Sequence, residues 1–151
     1  MAEAGGRYRY QFVFTVPAPP SDVWPLIAEA ARWKDWSFLT TARLLHNGSP
    51  EPDGVGAVRR FAVAGVGSRE EVVAFEPPRH LGYVGVKGIP ARNYRADVVL
   101  AAEDGGTRIT WTGSLDPMIP GTGALALAYA RSAVGRLTRQ LQRYVEQRVA
   151  S

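Results

Sequence analysis

From residue 42 to residue 115 the chain is a series of strand-like segments with no helical pattern between them, and this order excludes most fold classes. The segments lie at residues 42–46, 57–63, 68–75, 80–86, 91–102 and 107–115. Turn residues such as Pro77-Pro78 and Asp104-Gly105-Gly106 separate them. Short strands divided by turn residues indicate an antiparallel meander. Parallel βαβ units are excluded because no helix intervenes.

An additional strand precedes the meander. Residues 7–16 alternate, with Tyr8, Tyr10, Phe12, Phe14 and Val16 on one face of the predicted strand. Prolines follow, and a short helix is predicted over residues 22–31 with Ser21 as its N-cap. Residues 32–36 then predict a second brief helix or turn, in which at least one of two tryptophans fills the core.

One long amphipathic helix closes the chain. Apolar residues recur at intervals of three and four over residues 123–148 and form a single stripe. The helix is preceded by Gly121-Thr122-Gly123-Ala124-Leu125-Ala126, which spells a G-x-G-x-x-A dinucleotide motif. That motif requires a parallel strand after its helix and an acidic residue about 20 positions on, and neither is present. The glycines therefore indicate a flexible junction between the last strand and the helix.

Composition sets further limits. A chain of 151 residues with 46% hydrophobic residues is expected to form one domain. It contains no cysteine and only two histidines, His46 and His80, so neither a metal nor any other cofactor is predicted. The net charge is +4, but the arginines are scattered and do not indicate nucleic-acid binding. No secretion signal or membrane span is evident, so a cytoplasmic location is expected.

These elements predict an α+β fold, a seven-stranded antiparallel sheet wrapped around a long C-terminal helix, with two short helices after strand 1. In this order the chain resembles the helix-grip superfamily of START, Bet v 1-like and polyketide cyclase/dehydrase-like proteins. The stretches that carry the resemblance are VPAPPSDVWPLIAEAARWKDW (16–36), GAVRRF (56–61), REEVVAFEPPRHLGY (69–83) and GGTRITW (105–111).

The resemblance implies a mainly apolar pocket between sheet and helix that holds a lipid, polyketide, sterol or similar molecule. Some members of the superfamily catalyse cyclisation or dehydration, whereas others carry or sense a ligand. The fold alone does not decide between these functions.

Strand alternation predicts which side chains line the pocket. On each strand, the polar residues an even number of positions away from the inward-facing apolar residues also face inward. The terminal helix contributes two further residues to the predicted lining. The predicted ligand-binding residues are Arg59, Phe61, Glu71, Val73, Tyr83, Tyr94, Val98, Trp111, Tyr129 and Ala133. Arg59 and Glu71 would either orient a ligand carbonyl or hydroxyl or form a structural ion pair. The tyrosines would donate hydrogen bonds to a ligand or simply fill the core.

Three functions remain open at this point. The first is a carrier or sensor of a small hydrophobic molecule, and the second is a polyketide cyclase, aromatase or dehydratase that uses the same cavity. The third is a membrane or protein-interaction module that uses the arginines of the last helix, including transient membrane contact. No catalytic residue set and no oligomeric state can be assigned from residue spacing.

Overall fold

Seven antiparallel strands form a single sheet in the computed structural model, which describes residues 5–150. The strands are β1 (Tyr8–Val16), β2 (Thr41–His46), β3 (Val58–Val63), β4 (Val66–Glu76), β5 (His80–Lys87), β6 (Arg92–Glu103) and β7 (Gly106–Asp116). Their order across the sheet is β1-β7-β6-β5-β4-β3-β2, so β2 to β7 form the predicted meander and β1 pairs with its last strand. The predicted α+β helix-grip architecture is confirmed.

Three helices accompany the sheet, α1 (Pro20–Ala28), α2 (Trp33–Trp36) and α3 (Gly123–Ala150), with a 3₁₀ turn between the first two. The predicted N-cap at Ser21 is wrong, because α1 begins at Pro20 and Pro19 occupies the cap position. Proline suits the first helical position, where no intrahelical partner exists for an N–H. The helix ends before residue 31 because Glu29 adopts an extended conformation.

Both tryptophans of α2 are buried, which confirms that this segment fills the core. The indole N–H of Trp33 donates to the Ile27 carbonyl at 2.9 Å, and that of Trp36 donates to the Leu26 carbonyl at 2.9 Å. These bonds satisfy the polar atom of each buried indole and fix α2 against the end of α1.

A β-bulge in β4 changes which of its residues face the core. Val72 pairs with Tyr83, but the next pair is Ala74 with Gly82, so Val73 has no partner on β5. Because side chains alternate along a strand, one extra residue reverses the parity of everything before it. Phe75 and Val72 therefore lie on the core side, although an unbroken strand would place them on opposite faces.

Helix α3 packs across the sheet mainly on β1. Gly135 allows this close approach, since a Cβ there would lie 3.2 Å from the Phe12 ring. The junction before the helix includes Gly121, whose φ of +87° is a conformation that other residues rarely adopt. The predicted role of these glycines as a junction is confirmed.

Candidate functional site

A cavity of about 210 Å³ lies between the sheet and the N-terminal half of α3. Strands β3 to β6, the segment before β2 and the turn before β6 complete its walls. Its lining is mostly apolar and includes Trp33, Phe38, Leu39, Phe61, Ala62, Val63, Val66, Ile89, Pro90, Leu115, Val134 and Leu137. Glu70, Tyr83 and Tyr94 supply polar side chains.

Small side chains on α3 leave this space open. Ala126, Ala130 and Ala133 recur at helical spacing and all line the cavity. About two and three turns beyond Ala133, Leu141 and Val145 occupy the corresponding side of the helix and are buried in the core. The C-terminal half of α3 therefore fills the volume beneath it, whereas the alanines of the N-terminal half leave space.

The cavity opens to solvent at one end of the sheet. Val66 in the β3–β4 turn is 80% exposed and Tyr129 on α3 is 63% exposed, yet both belong to the cavity lining. They form opposite sides of the opening. The cavity is therefore accessible to solvent between β4 and α3.

A buried ion pair lies at the inner end of the cavity. Arg59 on β3 has no accessible surface, and its Nη2 donates to Glu70 Oε1 at 3.3 Å. The two residues are register partners on adjacent strands, so they share the inner face of the sheet. Nη1 of Arg59 donates to the Ile27 carbonyl at 3.2 Å and so connects the sheet to α1. Within this pair, Arg59 therefore makes a structural contact to Ile27, whereas Glu70 presents its carboxylate to the cavity.

Aromatic rings surround the Arg59 guanidinium. Its Cζ lies 5.3 Å from the ring centroid of Trp33, 4.9 Å from that of Phe61 and 4.8 Å from that of Tyr83. These cation–π contacts partly compensate for lost hydration. Burial nevertheless raises the pKa of the Glu70 carboxyl, although Arg59 partly offsets this.

Hydrogen-bonded phenols form a further polar group of the site. The hydroxyl groups of Tyr10 and Tyr94 lie 2.6 Å apart, although their strands are separated by β7. Tyr10 crosses β7 over Gly113, where any Cβ would collide with the Tyr10 ring. Burial raises the pKa values of Tyr10, Tyr83 and Tyr94, so all three phenols stay neutral and can donate hydrogen bonds.

The structure brings five of the residues predicted from the sequence to the cavity surface. These are Phe61, Tyr83, Tyr94, Tyr129 and Ala133. Arg59, Val98 and Trp111 also face inward but are fully buried behind the lining. Tyr129 lies at the opening, whereas Tyr83 and Tyr94 lie deeper in the interior.

The inward placement of Glu71 and Val73 is wrong. Glu70, not Glu71, pairs with Arg59, and Val72, not Val73, is buried in the core. The bulge at Val73 lies between Phe75 and these residues, and it shifts the alternation of inward and outward side chains by one residue. Glu71 instead pairs with Val84 on the outer side of the sheet.

The sequence interpretation missed Glu70, Tyr10 as a partner of Tyr94, and the cavity walls formed by Phe38, Leu39 and Ile89. Glu70 and Glu71 are adjacent and point to opposite faces of the sheet, so one of them must share the face of Arg59. The sequence could have indicated Glu70 only if both acids had been considered as partners of Arg59. The contact between Tyr10 and Tyr94 can be predicted only if the strand order is known, because β1 and β6 lie on either side of β7.

A second polar cluster lies on the opposite face of the sheet. His80 Nε2 and Asp97 Oδ1 are 2.7 Å apart, and Arg95 donates to both oxygens of Asp97 at 3.0 and 3.1 Å. Although partial burial opposes ionisation, the hydrogen bonds from Arg95 and His80 lower the pKa of Asp97. His80, at the start of β5, is therefore a half-buried partner of this carboxylate.

Residues 5–150 contain neither a metal-binding cluster nor a membrane-spanning helix. No group of three or more His, Asp or Glu side chains in that range could hold a metal ion. No helix in that range is both long and apolar enough to cross a bilayer.

Similarity to solved structures extends over the whole fold. A START superfamily protein from Mycobacterium smegmatis superposes with a TM-score of 0.77 at 12% identity, covering 92% of this chain and 97% of that one. The protein XoxI from Bacillus cereus gives 0.75 at 19% identity, with 91% and 94% covered. Ara h 8.0201 gives 0.70 at 14% identity, with 91% and 96% covered. At these identities the likeness concerns the fold.

Sequence comparison identifies the family. No curated protein sequence matches the chain significantly. A family model described as polyketide cyclase / dehydrase and lipid transport matches residues 8–147, which include every strand and nearly all of α3. The chain therefore belongs to the polyketide cyclase / dehydrase and lipid transport family.

Proposed function

We propose that the protein binds a small hydrophobic molecule in the cavity between the sheet and α3 and acts as its carrier or sensor. The observation that carries the proposal is the apolar space left by Ala126, Ala130 and Ala133 in an otherwise packed core. Natural cores hold few voids larger than a water molecule. A cavity of about 210 Å³ with an opening therefore supports a binding role.

The volume limits the size of the buried group. An apolar cavity of about 150 Å³ is sufficient to bind benzene. The cavity of about 210 Å³ fits a ring system or a short chain, and the remainder of a longer ligand would extend through the opening. A ligand of about 20 non-hydrogen atoms, at about 0.3 kcal/mol per atom, would bind with a Kd of roughly tens of micromolar.

Glu70 supports a finer proposal about the polar end of the ligand. Within the described residues, only Arg59 hydrogen-bonds to its carboxylate, and the side chain faces the cavity. A carboxylate accepts hydrogen bonds and repels other carboxylates. The inner end of the ligand is therefore a neutral hydroxyl or phenol that donates to Glu70, and fatty acids bind less well than the matching alcohols.

Paired probes test both parts of the proposal. Naphthol and naphthoic acid, and dodecanol and dodecanoic acid, are titrated into the protein while the fluorescence of Trp33 and the other tryptophans is recorded. We expect the alcohol of each pair to bind more tightly, and Glu70→Gln to reduce that preference. Binding of neither pair would contradict the cavity proposal, whereas equal binding within each pair would contradict only the role of Glu70.

A cavity-filling variant provides the matched control. Ala133→Leu places a larger side chain in the cavity and is expected to abolish binding of these probes. Ala128→Leu makes the same substitution at an exposed position of α3 and is expected to leave binding unchanged. Equal affinities in the two variants would exclude this cavity as the binding site.

The phenols support catalysis in the same cavity as a second candidate function. Tyr83 and Tyr94 stay neutral and could protonate or polarise a substrate carbonyl, as a cyclase or dehydratase requires. Assays with polyketide substrates would compare the protein with its Tyr83→Phe and Tyr94→Phe variants. No loss of turnover in either variant would contradict this mechanism.

A further inference from the structure

The cavity opens at one end of the sheet, where several chain segments meet. Because the strands are antiparallel, the β3–β4 turn, the β5–β6 turn, the loop after β7 and the start of α3 all lie at this end. We call this surface the mouth end and define it by residues 63–66, 86–92 and 117–131. The β4–β5 and β6–β7 turns lie at the other end.

The mouth end concentrates exposed apolar side chains. Seven of the eleven large hydrophobic residues that are exposed in the described chain lie here. They are Val63, Val66, Val86, Met118, Ile119, Leu125 and Tyr129. Val66, Leu125 and Ile119 are 80%, 73% and 66% exposed. Single exposed apolar residues are ordinary, but a cluster beside a ligand opening marks an interaction surface.

Positive charges border these residues. The Arg60 guanidinium donates to the Gly65 carbonyl at 3.0 Å, which holds its charge at the β3–β4 turn. Arg92 Nε donates to the Pro117 carbonyl at 3.3 Å, which holds a second charge at the loop after β7. Arg69 and Lys87 are register partners on adjacent strands and extend the positive row that begins at Arg60.

Acidic residues are missing from the segments that form this end. Residues 58–69, 80–96 and 117–145 contain none. The acid that directly precedes the loop is Asp116, whose carboxylate accepts hydrogen bonds from Asn93 and the Arg7 backbone. The mouth end is therefore apolar at its centre and cationic around it.

We propose that the mouth end docks on an anionic lipid bilayer. Apolar side chains enter the boundary between headgroups and acyl chains, while lysine and arginine attract anionic headgroups. A second copy of the chain does not fit this surface, because two cationic rims would repel each other. Docking here would place the cavity opening against the bilayer, although the proposal does not depend on what the cavity binds.

Vesicle co-sedimentation tests the proposal with the full-length protein. One set of vesicles is equimolar phosphatidylcholine and phosphatidylglycerol, and the other is pure phosphatidylcholine. We expect binding to the anionic vesicles that weakens as salt is raised, and little binding to the neutral ones. Lys87→Gln should weaken binding about fivefold, the change expected for one cation near the surface.

Matched variants locate the contact. Val66→Glu should strongly reduce binding, whereas Val149→Glu, the same change at an exposed valine near the other end of α3, should not. Circular dichroism of both variants establishes that they are folded. The proposal is overturned if the protein does not bind anionic vesicles at low salt, or if Val66→Glu and Val149→Glu bind equally well. It is also overturned if only Arg136→Glu and Arg139→Glu reduce binding, because the outer flank of α3 would then be the contact.

Discussion

The two halves of α3 lie over the same sheet, but only the C-terminal half fills the interior beneath it with large side chains. In the C-terminal half, Leu141 and Val145 are buried in the hydrophobic core. In the N-terminal half, alanines at equivalent spacing border a cavity. Amphipathic periodicity is the same in both halves, so periodicity positions the helix whereas side-chain volume determines where the interior is hollow.

Arg59 connects the packed and the hollow region, and its replacement should have the largest effect. Arg59→Met breaks the contacts to Ile27 and Glu70 and leaves a carboxylate without its cation. We expect a loss of about 3–5 kcal/mol in the free energy of unfolding, measured by denaturant titration.

The double variant Arg59→Met with Glu70→Leu serves as the control. Both variants lack the Arg59 Nε, for which no acceptor exists within residues 5–150, but only the double variant also removes the carboxylate that would be left unpaired. The double variant should therefore be more stable than Arg59→Met alone. If it is less stable, the ion pair itself and not the unpaired carboxylate determines the loss.

Leu141 tests the packed half of α3. Leu141→Ala removes a fully buried side chain and should destabilise the protein by about 2–5 kcal/mol, seen as a lower denaturation midpoint. Leu125→Ala makes the same change in the other half, where the side chain is 73% exposed, and should cost less than about 0.5 kcal/mol. Similar losses in the two variants would show that the halves do not differ as described.

Enlarging Ala133 tests the half of α3 that borders the cavity. A larger side chain at a packed position is destabilising, but one that enters a cavity can stabilise. Ala133→Leu should therefore raise the free energy of unfolding by up to about 1 kcal/mol, measured by thermal denaturation. A loss of more than about 1 kcal/mol would mean that the cavity cannot accept additional atoms.

Two carboxylates on opposite faces of the sheet should have opposite pH dependence. The pKa of Glu70 is raised in the folded protein, so its contribution to stability is present below the unfolded pKa and is lost as pH rises. The pKa of Asp97 is lowered, so its contribution is present above the unfolded pKa and is lost as pH falls through the folded value.

Denaturation of Glu70→Gln and Asp97→Asn between about pH 3 and pH 7 separates the two effects. As pH rises, the free energy of unfolding of the unsubstituted protein should fall by about 1 kcal/mol relative to that of Glu70→Gln. Relative to that of Asp97→Asn, it should rise by about 1 kcal/mol. If both comparisons change in the same direction, one of the two assignments is wrong.

Alternation and turn residues were sufficient to predict all seven strands, the antiparallel meander and the long helix, but not the pairing of β1 with β7. They were also sufficient to predict which side chains face inward on regular strands, such as Phe61 on β3 and Tyr83 on β5. They failed on β4, because a bulge leaves no clear signal in VVAF and a single extra residue moves Glu71 to the outside. The pair Tyr10–Tyr94 depends on strand order and on Gly113, neither of which is a local property.

The unpaired residue at Val73 affects how β4 is aligned with the same strand in relatives. If Val73 were deleted, regular alternation would extend along the strand, and Glu70 would keep its position beside Arg59. A strand one residue shorter at this point could thus present the same inward-facing side chains. Alignments of distant relatives should therefore be anchored on this irregularity before their interior residues are compared.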